Sequence, residues 1–175
     1  MSVMPIAANR THPAAIAALL VAVGGAATIL GAYYFQYVLH YAPCELCLDE
    51  RIPYYVGIPL ALVVALAGVF NAPRPLLVTG LALLVIILLI GAGLGVFHSG
   101  VEWKFWPGPA HCSGAIGGNF GGGSLLEQMN RTRIVPCDAA AWRLFGISLA
   151  GYNALISLAL AVIALWGIKA QKAKA

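Results

Sequence analysis

Cys44-Glu-Leu-Cys47 is a C-x-x-C, Arg51 follows four residues behind it, and an apolar run begins directly after. Two cysteines separated by two residues can close a small, strained disulfide, and thiols in such motifs often have lowered pKa values. The thiolate is the reactive form. Pro53 fits the first turn of a following helix, where a missing N–H leaves nothing unsatisfied. Cys47 is therefore expected beside a fixed cation, Arg51, and beside a helix's positive end, both of which favour its thiolate. A plainer use for Arg51 is a snorkelling charge paired with Asp49 or Glu50. The chemistry these residue types suggest is dithiol–disulfide exchange at a membrane surface.

The elements that must hold this motif are legible in composition. Of 175 residues, 61% are hydrophobic and only 9% charged, and the mean hydropathy is +0.88. No ordinary soluble domain approaches that. A hydrocarbon core about 30 Å thick takes roughly 20 helical residues to cross. Four apolar runs are long enough, at 14–35, 52–70, 76–97 and 144–168. The expected fold is an all-α membrane protein: a four-transmembrane-helix bundle forming one integral membrane domain over 1–175. Two extracytoplasmic loops, 36–51 and 98–143, complete it, the second long and partly flexible. Arg10 precedes the first run as in a secretory signal, but the run is too long for an h-region and no small-residue cleavage site follows, so it is read as the first span. No nucleic-acid partner is expected.

Orientation rests on charge. Arg10, Arg74, Lys169, Lys172 and Lys174 fall on the side of the termini; Arg51, Lys104, Arg131, Arg133 and Arg143 fall on the side of the long loops. The first group is packed into short flanks, which the positive-inside rule weights most, so both termini are expected to be cytoplasmic. Cys44, Cys47, Cys112 and Cys137, the only cysteines, then lie outside. In an oxidising compartment four cysteines make two disulfides, and three pairings are possible.

Several stretches support this plan. Tyr33, Tyr34, Phe35 and Tyr37 read as an aromatic belt, as do Trp103, Phe105 and Trp106 after the third span. Pro59 is expected to kink the second helix. Gly91, Gly93 and Gly95 suit either close helix packing or the approach of a flat ring, with packing the blander reading. Pro107 and Pro109 extend the chain into His111 and Cys112, and the glycine-rich stretch 113–124 is a tether spanning about 20 Å as a random coil. No G-x-G-x-x-G, P-loop or C-x-x-C-H signature offers another electron acceptor.

The ordered set C-x-x-C-x-x-x-R-x-P at 44–53, His98-Ser-Gly-Val-Glu102, Trp106-Pro-Gly-Pro109 before Cys112, and Pro136-Cys-Asp138 with Trp142 and Phe145-Gly146 resembles the bacterial disulfide bond formation protein B (DsbB) family. These are quinone-dependent thiol oxidases of the inner membrane. The resemblance runs from the first span to the fourth; the glycine-rich tether departs from it, which bears on partner preference rather than chemistry. It implies that Cys47 faces the quinone, with Cys44 as its exchange partner. It implies further that Cys112 forms the mixed disulfide with a periplasmic DsbA-type thioredoxin-fold oxidase, and that Cys137 resolves it. Arg51 and His98 would contact the head of a ubiquinone or menaquinone, and no metal is implied. The implied location is the bacterial inner membrane, multi-pass, with the cysteine loops periplasmic and the membrane quinone pool as electron sink. Two rival readings use the same residues: a four-helix membrane protein with structural disulfides, and a metal-binding or transport protein using the cysteines with His40, His98 and His111.

Overall fold

The computed structural model describes residues 13–109, 133–134 and 136–173. Helix α1 (Pro13–Tyr33) ends in a single π-helical turn (Tyr34–Val38), followed by β1 (Tyr41–Ala42), α2 (Glu45–Asp49), α3 (Ile52–Val69) and α4 (Arg74–Glu102). After these come β2 (Arg133–Ile134), β3 (Arg143–Leu144), β4 (Ile147–Ser148) and α5 (Leu149–Ala173). Four of the described helical stretches are long and apolar enough to cross a membrane, as expected. Each of α1 and α4 packs against both α3 and α5, so the four long helices stand at the corners of a square, with α1 and α4 on its diagonal.

The interior holds Val21, Ala61, Leu77, Leu81, Leu84, Leu160 and Ala164, while Leu30, Val63, Ile86 and Val162 are exposed. Both faces are apolar because lipid, not water, is the outer solvent, so close packing must supply the association. Gly95 supplies it directly: a Cβ there would lie 2.8 Å from the backbone nitrogen of Ala154 and 2.9 Å from the carbonyl of Ala150. Gly91 similarly faces Pro53 and Ser157, whereas Gly93 faces nothing within 4 Å. The packing reading of this glycine run is therefore the right one at Gly91 and Gly95.

The helix ends differ from expectation. Hydropathy stops at Phe97, yet α4 continues through His98 to Glu102, so His98 belongs to a helix and not to loop 98–143. A hydropathy boundary records where charge begins; the backbone ladder runs on until something breaks it. Here the chain turns at Trp103 and takes a left-handed conformation at Lys104 (φ 63°). Trp106 then folds back, its Nε1–H donating to the Phe97 carbonyl at 2.9 Å and its ring stacking on Phe97. Gly100 makes room for that ring, since a Cβ there would meet it at 2.0 Å.

The fourth span starts at Leu149 rather than 144. Arg143–Leu144 and Ile147–Ser148 form a hairpin whose turn residues, Phe145 (φ 51°) and Gly146 (φ 81°), are both left-handed, the geometry of a two-residue type I′ turn. That explains the glycine. Helix α3 runs unbroken through Pro59. The two outer loops are joined by a parallel pairing of β1 with β2, Tyr41 opposite Arg133 and Ala42 opposite Ile134, and by the rings of Phe35 and Trp142, 5.4 Å apart. His111, Cys112 and the glycine-rich tether 113–124 lie outside the described residues.

Candidate redox site

Cys44 is the N-cap of α2, and its sulfur accepts the backbone N–H of Cys47 at 3.3 Å. The Cys44 and Cys47 sulfurs are 2.9 Å apart, and both cysteines are free. The Cys47 thiol beside it and that backbone N–H hold the Cys44 thiol below its usual range, while burial pushes the other way. The helix start thus acts on Cys44, not on Cys47 as the sequence suggested, because a short helix intervenes before Ile52 and Cys47 lies inside it.

Arg51 also departs from expectation. It caps the start of α3, with Pro53 in that helix's first turn, but its guanidinium is directed at α1. Nη1–H donates to Gln36 Oε1 at 2.7 Å, and the guanidinium lies over the Tyr33 ring, 5.5 Å from its centre. Among the charges that act most on Cys47 are His98 and Glu50, and Arg51 is not one of them. Nor does Arg51 make an ion pair with Asp49 or Glu50.

His98 is buried and held from both sides. Its Nδ1 lies 2.7 Å from Glu50 Oε1, and its Nε2 faces Cys44 Sγ at 3.8 Å and Glu102 Oε1 at 3.9 Å. Glu50 and Glu102 are each only 8% exposed. Neither carboxylate was assigned a role by sequence reasoning, which treated Glu50 as a companion of Arg51. The available signal was the spacing His98–Glu102, four residues and hence one helical face.

Cys137 is fully buried in a cluster with Cys44, Leu46 and Val101, against which Cys47 also packs. It is disulfide-bonded, and the free state of Cys44 and Cys47 excludes both as its partner. The implied partner, Cys112, lies outside the described residues. The sequence places a glycine-rich tether between Cys112 and Cys137, yet Cys137 itself is packed beside Cys44. An exposed ion pair joins Lys104 to Asp138, next to Cys137, and the Lys104 hydrogen bond and charge hold the Asp138 carboxyl below its usual range.

These residues border one cavity of about 500 Å³, reached by Cys44, Cys47, Glu50, Arg51, His98 and Glu102 at one end and by Gly24, Thr28 and Ile156 at the other. The volume falls within the range of about 300 to 1,000 Å³ common for small-molecule sites. Tyr54 and Asn153 also line it, tied together by a 2.8 Å hydrogen bond from the Tyr54 hydroxyl to Asn153 Oδ1.

The ligand atoms of Cys44, Cys47 and His98 lie within 4.8 Å of one another, a grouping a thiophilic metal could use. Two thiolates each about 2.3 Å from a tetrahedral zinc would stand about 3.8 Å apart. The observed 2.9 Å suits sulfur–sulfur bond formation better.

A membrane-spanning bundle with a dithiol bordering a cavity and a disulfide-bonded cysteine packed against that dithiol is the architecture of a membrane disulfide oxidoreductase. The family model for disulfide bond formation protein DsbB matches residues 14–167, and the chain belongs to that family. It is 32% identical over 135 residues to an uncharacterised protein of Rickettsia prowazekii, covering 75% of this chain and 74% of that one. It is 29% identical over 154 residues to a disulfide bond formation protein B of a Polaromonas species, covering 83% and 85%. A disulfide bond formation protein B of Polaromonas naphthalenivorans is 27% identical over 142 residues, covering 77% and 78%. No solved structure gives a significant match.

Proposed function

We propose that this membrane disulfide-bond formation protein is a quinone-dependent thiol oxidase that reoxidises a periplasmic DsbA-type dithiol protein. The observation that carries the reading is the cavity: the free Cys44/Cys47 pair opens into it, and Arg51 and His98 border the same end. Ala27, Ile29 and Ile156 give it apolar walls, and the Arg51 guanidinium offers a planar fork of donors to a carbonyl oxygen. Those features fit a ubiquinone or menaquinone head, with Arg51 and His98 holding it. A bound quinone would supply a two-electron, two-proton acceptor.

The chain's own residues do the rest. The partner's thiolate attacks the Cys112–Cys137 disulfide at Cys112 and releases Cys137 as a thiol; the partner's second thiol then displaces Cys112, so the partner leaves oxidised and the Cys112/Cys137 pair is left reduced. Cys44 then exchanges with the Cys112/Cys137 pair, a step supported by the packing of Cys137 against Cys44. Cys47 faces the acceptor. A DsbA-type dithiol is poised near about −120 mV, and every 30 mV of adverse difference is roughly 1.4 kcal/mol. Dithiols alone cannot sustain its reoxidation, which is why a lipid-soluble acceptor is needed. The protein would sit in the inner membrane with termini cytoplasmic and cysteines periplasmic.

The test is quinone reduction by purified protein supplied with a reduced DsbA-type donor. Sustained turnover separates an oxidase from a protein with inert staples and from a metal carrier; no turnover with either quinone would reject the reading.

A further inference from the structure

Three ionisable side chains are buried at the outer end of the bundle, and electron exchange between sulfurs does not by itself require them. His98 is 3% exposed, Glu50 and Glu102 8% each. Ionisable groups inside a membrane protein are costly and usually mark a working site. All three line the cavity shared with Cys44. Glu102 Oε2 is buried with no hydrogen-bond partner among the described residues. The geometry points to a proton relay in which His98 Nε2 takes the Cys44 thiol proton and passes it to Glu102, while Glu50 fixes the imidazole from behind. The inference rests on the oxidase reading above.

The balance requires such a path. Closing the Cys44–Cys47 disulfide breaks two S–H bonds and forms one S–S bond, releasing two electrons and two protons. A quinone-class acceptor in the cavity takes both electrons and both protons: the Cys44 proton by way of His98 and Glu102, which lines that cavity, and the Cys47 proton from the thiol that faces the acceptor. Apolar walls conduct none. With Nδ1–H donating to Glu50 at 2.7 Å, Nε2 keeps a free lone pair and faces both the sulfur at 3.8 Å and Glu102 at 3.9 Å. Glu50 stabilises the imidazolium that forms, as a buried carboxylate does behind other catalytic histidines. The charges around His98 are Cys44 and Cys47 from α2, Glu50 and Arg51 from the α2–α3 junction and Glu102 from its own helix, with Arg143 acting on Glu102 from β3.

The experiment uses full-length protein in lipid nanodiscs as wild type, His98→Gln, Glu102→Gln and Glu102→Asp. The first readout needs no acceptor: the pH dependence of Cys44 alkylation in the reduced protein, read by mass spectrometry. His98→Gln should slow alkylation near neutral pH by roughly tenfold, since the thiol loses its base. The second is single-turnover oxidation of the reduced pair by a short-chain quinone. His98→Gln and Glu102→Gln should slow it by about 10²-fold. Glu102→Gln, which removes no quinone contact, should leave the quinone KM within about twofold of wild type, with Glu102→Asp recovering most of the rate. Wild-type rates in Glu102→Gln, or a raised KM at unchanged kcat in that variant, would overturn the relay. Should wild type itself reduce no quinone, the oxidase reading fails while the alkylation profile still decides whether His98 deprotonates Cys44.

Discussion

At the scale of single residues, the sequence marks the reactive atoms but not their electrostatic partners. Cys44, Cys47 and Arg51 stand out because their types and spacing are unusual, yet side-chain direction depends on α2, a five-residue helix too short to read from periodicity. That helix turns Arg51 toward Gln36 and Tyr33 and moves the N-cap onto Cys44. Two predictions follow from the corrected geometry. Because its pKa is lowered, Cys44 should be alkylated at pH values where an ordinary thiol is still protonated. Cys47→Ala should shift that profile to higher pH by removing the neighbouring thiol, and Cys47→Ser, which keeps a donor, should shift it less; alkylation followed by mass spectrometry reads both. Arg51→Met should raise the quinone KM, since a charge-assisted hydrogen bond contributes about 1.5 to 3 kcal/mol, roughly ten- to hundredfold. Lysine should rescue it only partly, lacking the planar fork. An Arg51→Met protein with wild-type KM would leave Arg51 as a membrane anchor.

At the scale of elements, the spans were legible because hydropathy reports them directly, and α3 lies within a residue of its expected place. The outer ends were not, because α4 and the β3–β4 hairpin are set by local contacts, Trp106 over Gly100 and the left-handed pair Phe145–Gly146, rather than by lipid. Glycine function follows the same division. Gly95→Ala would press a methyl against two backbone atoms of α5 and should cost about 1 to 3 kcal/mol. Gly93→Ala meets nothing and should be neutral or stabilise by about 0.5 to 1 kcal/mol through helix propensity. Unfolding midpoints in detergent compare the two. The Lys104–Asp138 tie should depend on pH in a fixed direction. Asp138 is held below its ordinary value, so the tie is present above the usual carboxylate range and is lost only as pH falls through that lowered value. Asp138→Asn should therefore make the Cys137 disulfide easier to reduce at neutral pH, with little further change on acidification; equal reduction rates in wild type would show that the ion pair does not hold the segment.

At the scale of the molecule, four helices bring the outer loops together over one cavity, and the pairing of β1 with β2 places Cys137 against Cys44 without any long excursion of the chain. In the proposed function the two cysteine pairs act in series, and only the Cys44/Cys47 pair reaches the acceptor. The most direct measurement is anaerobic and stoichiometric: partner disulfide formed and quinol formed, counted together, for wild type and Cys47→Ala supplied with excess reduced DsbA-type protein. Wild type should give one quinol for each partner disulfide over many turnovers. Cys47→Ala should oxidise one equivalent of partner, using its Cys137 disulfide, and form no quinol. Repeated turnover by Cys47→Ala, or partner oxidation by wild type without matching quinol, would rule out the serial order of the two pairs.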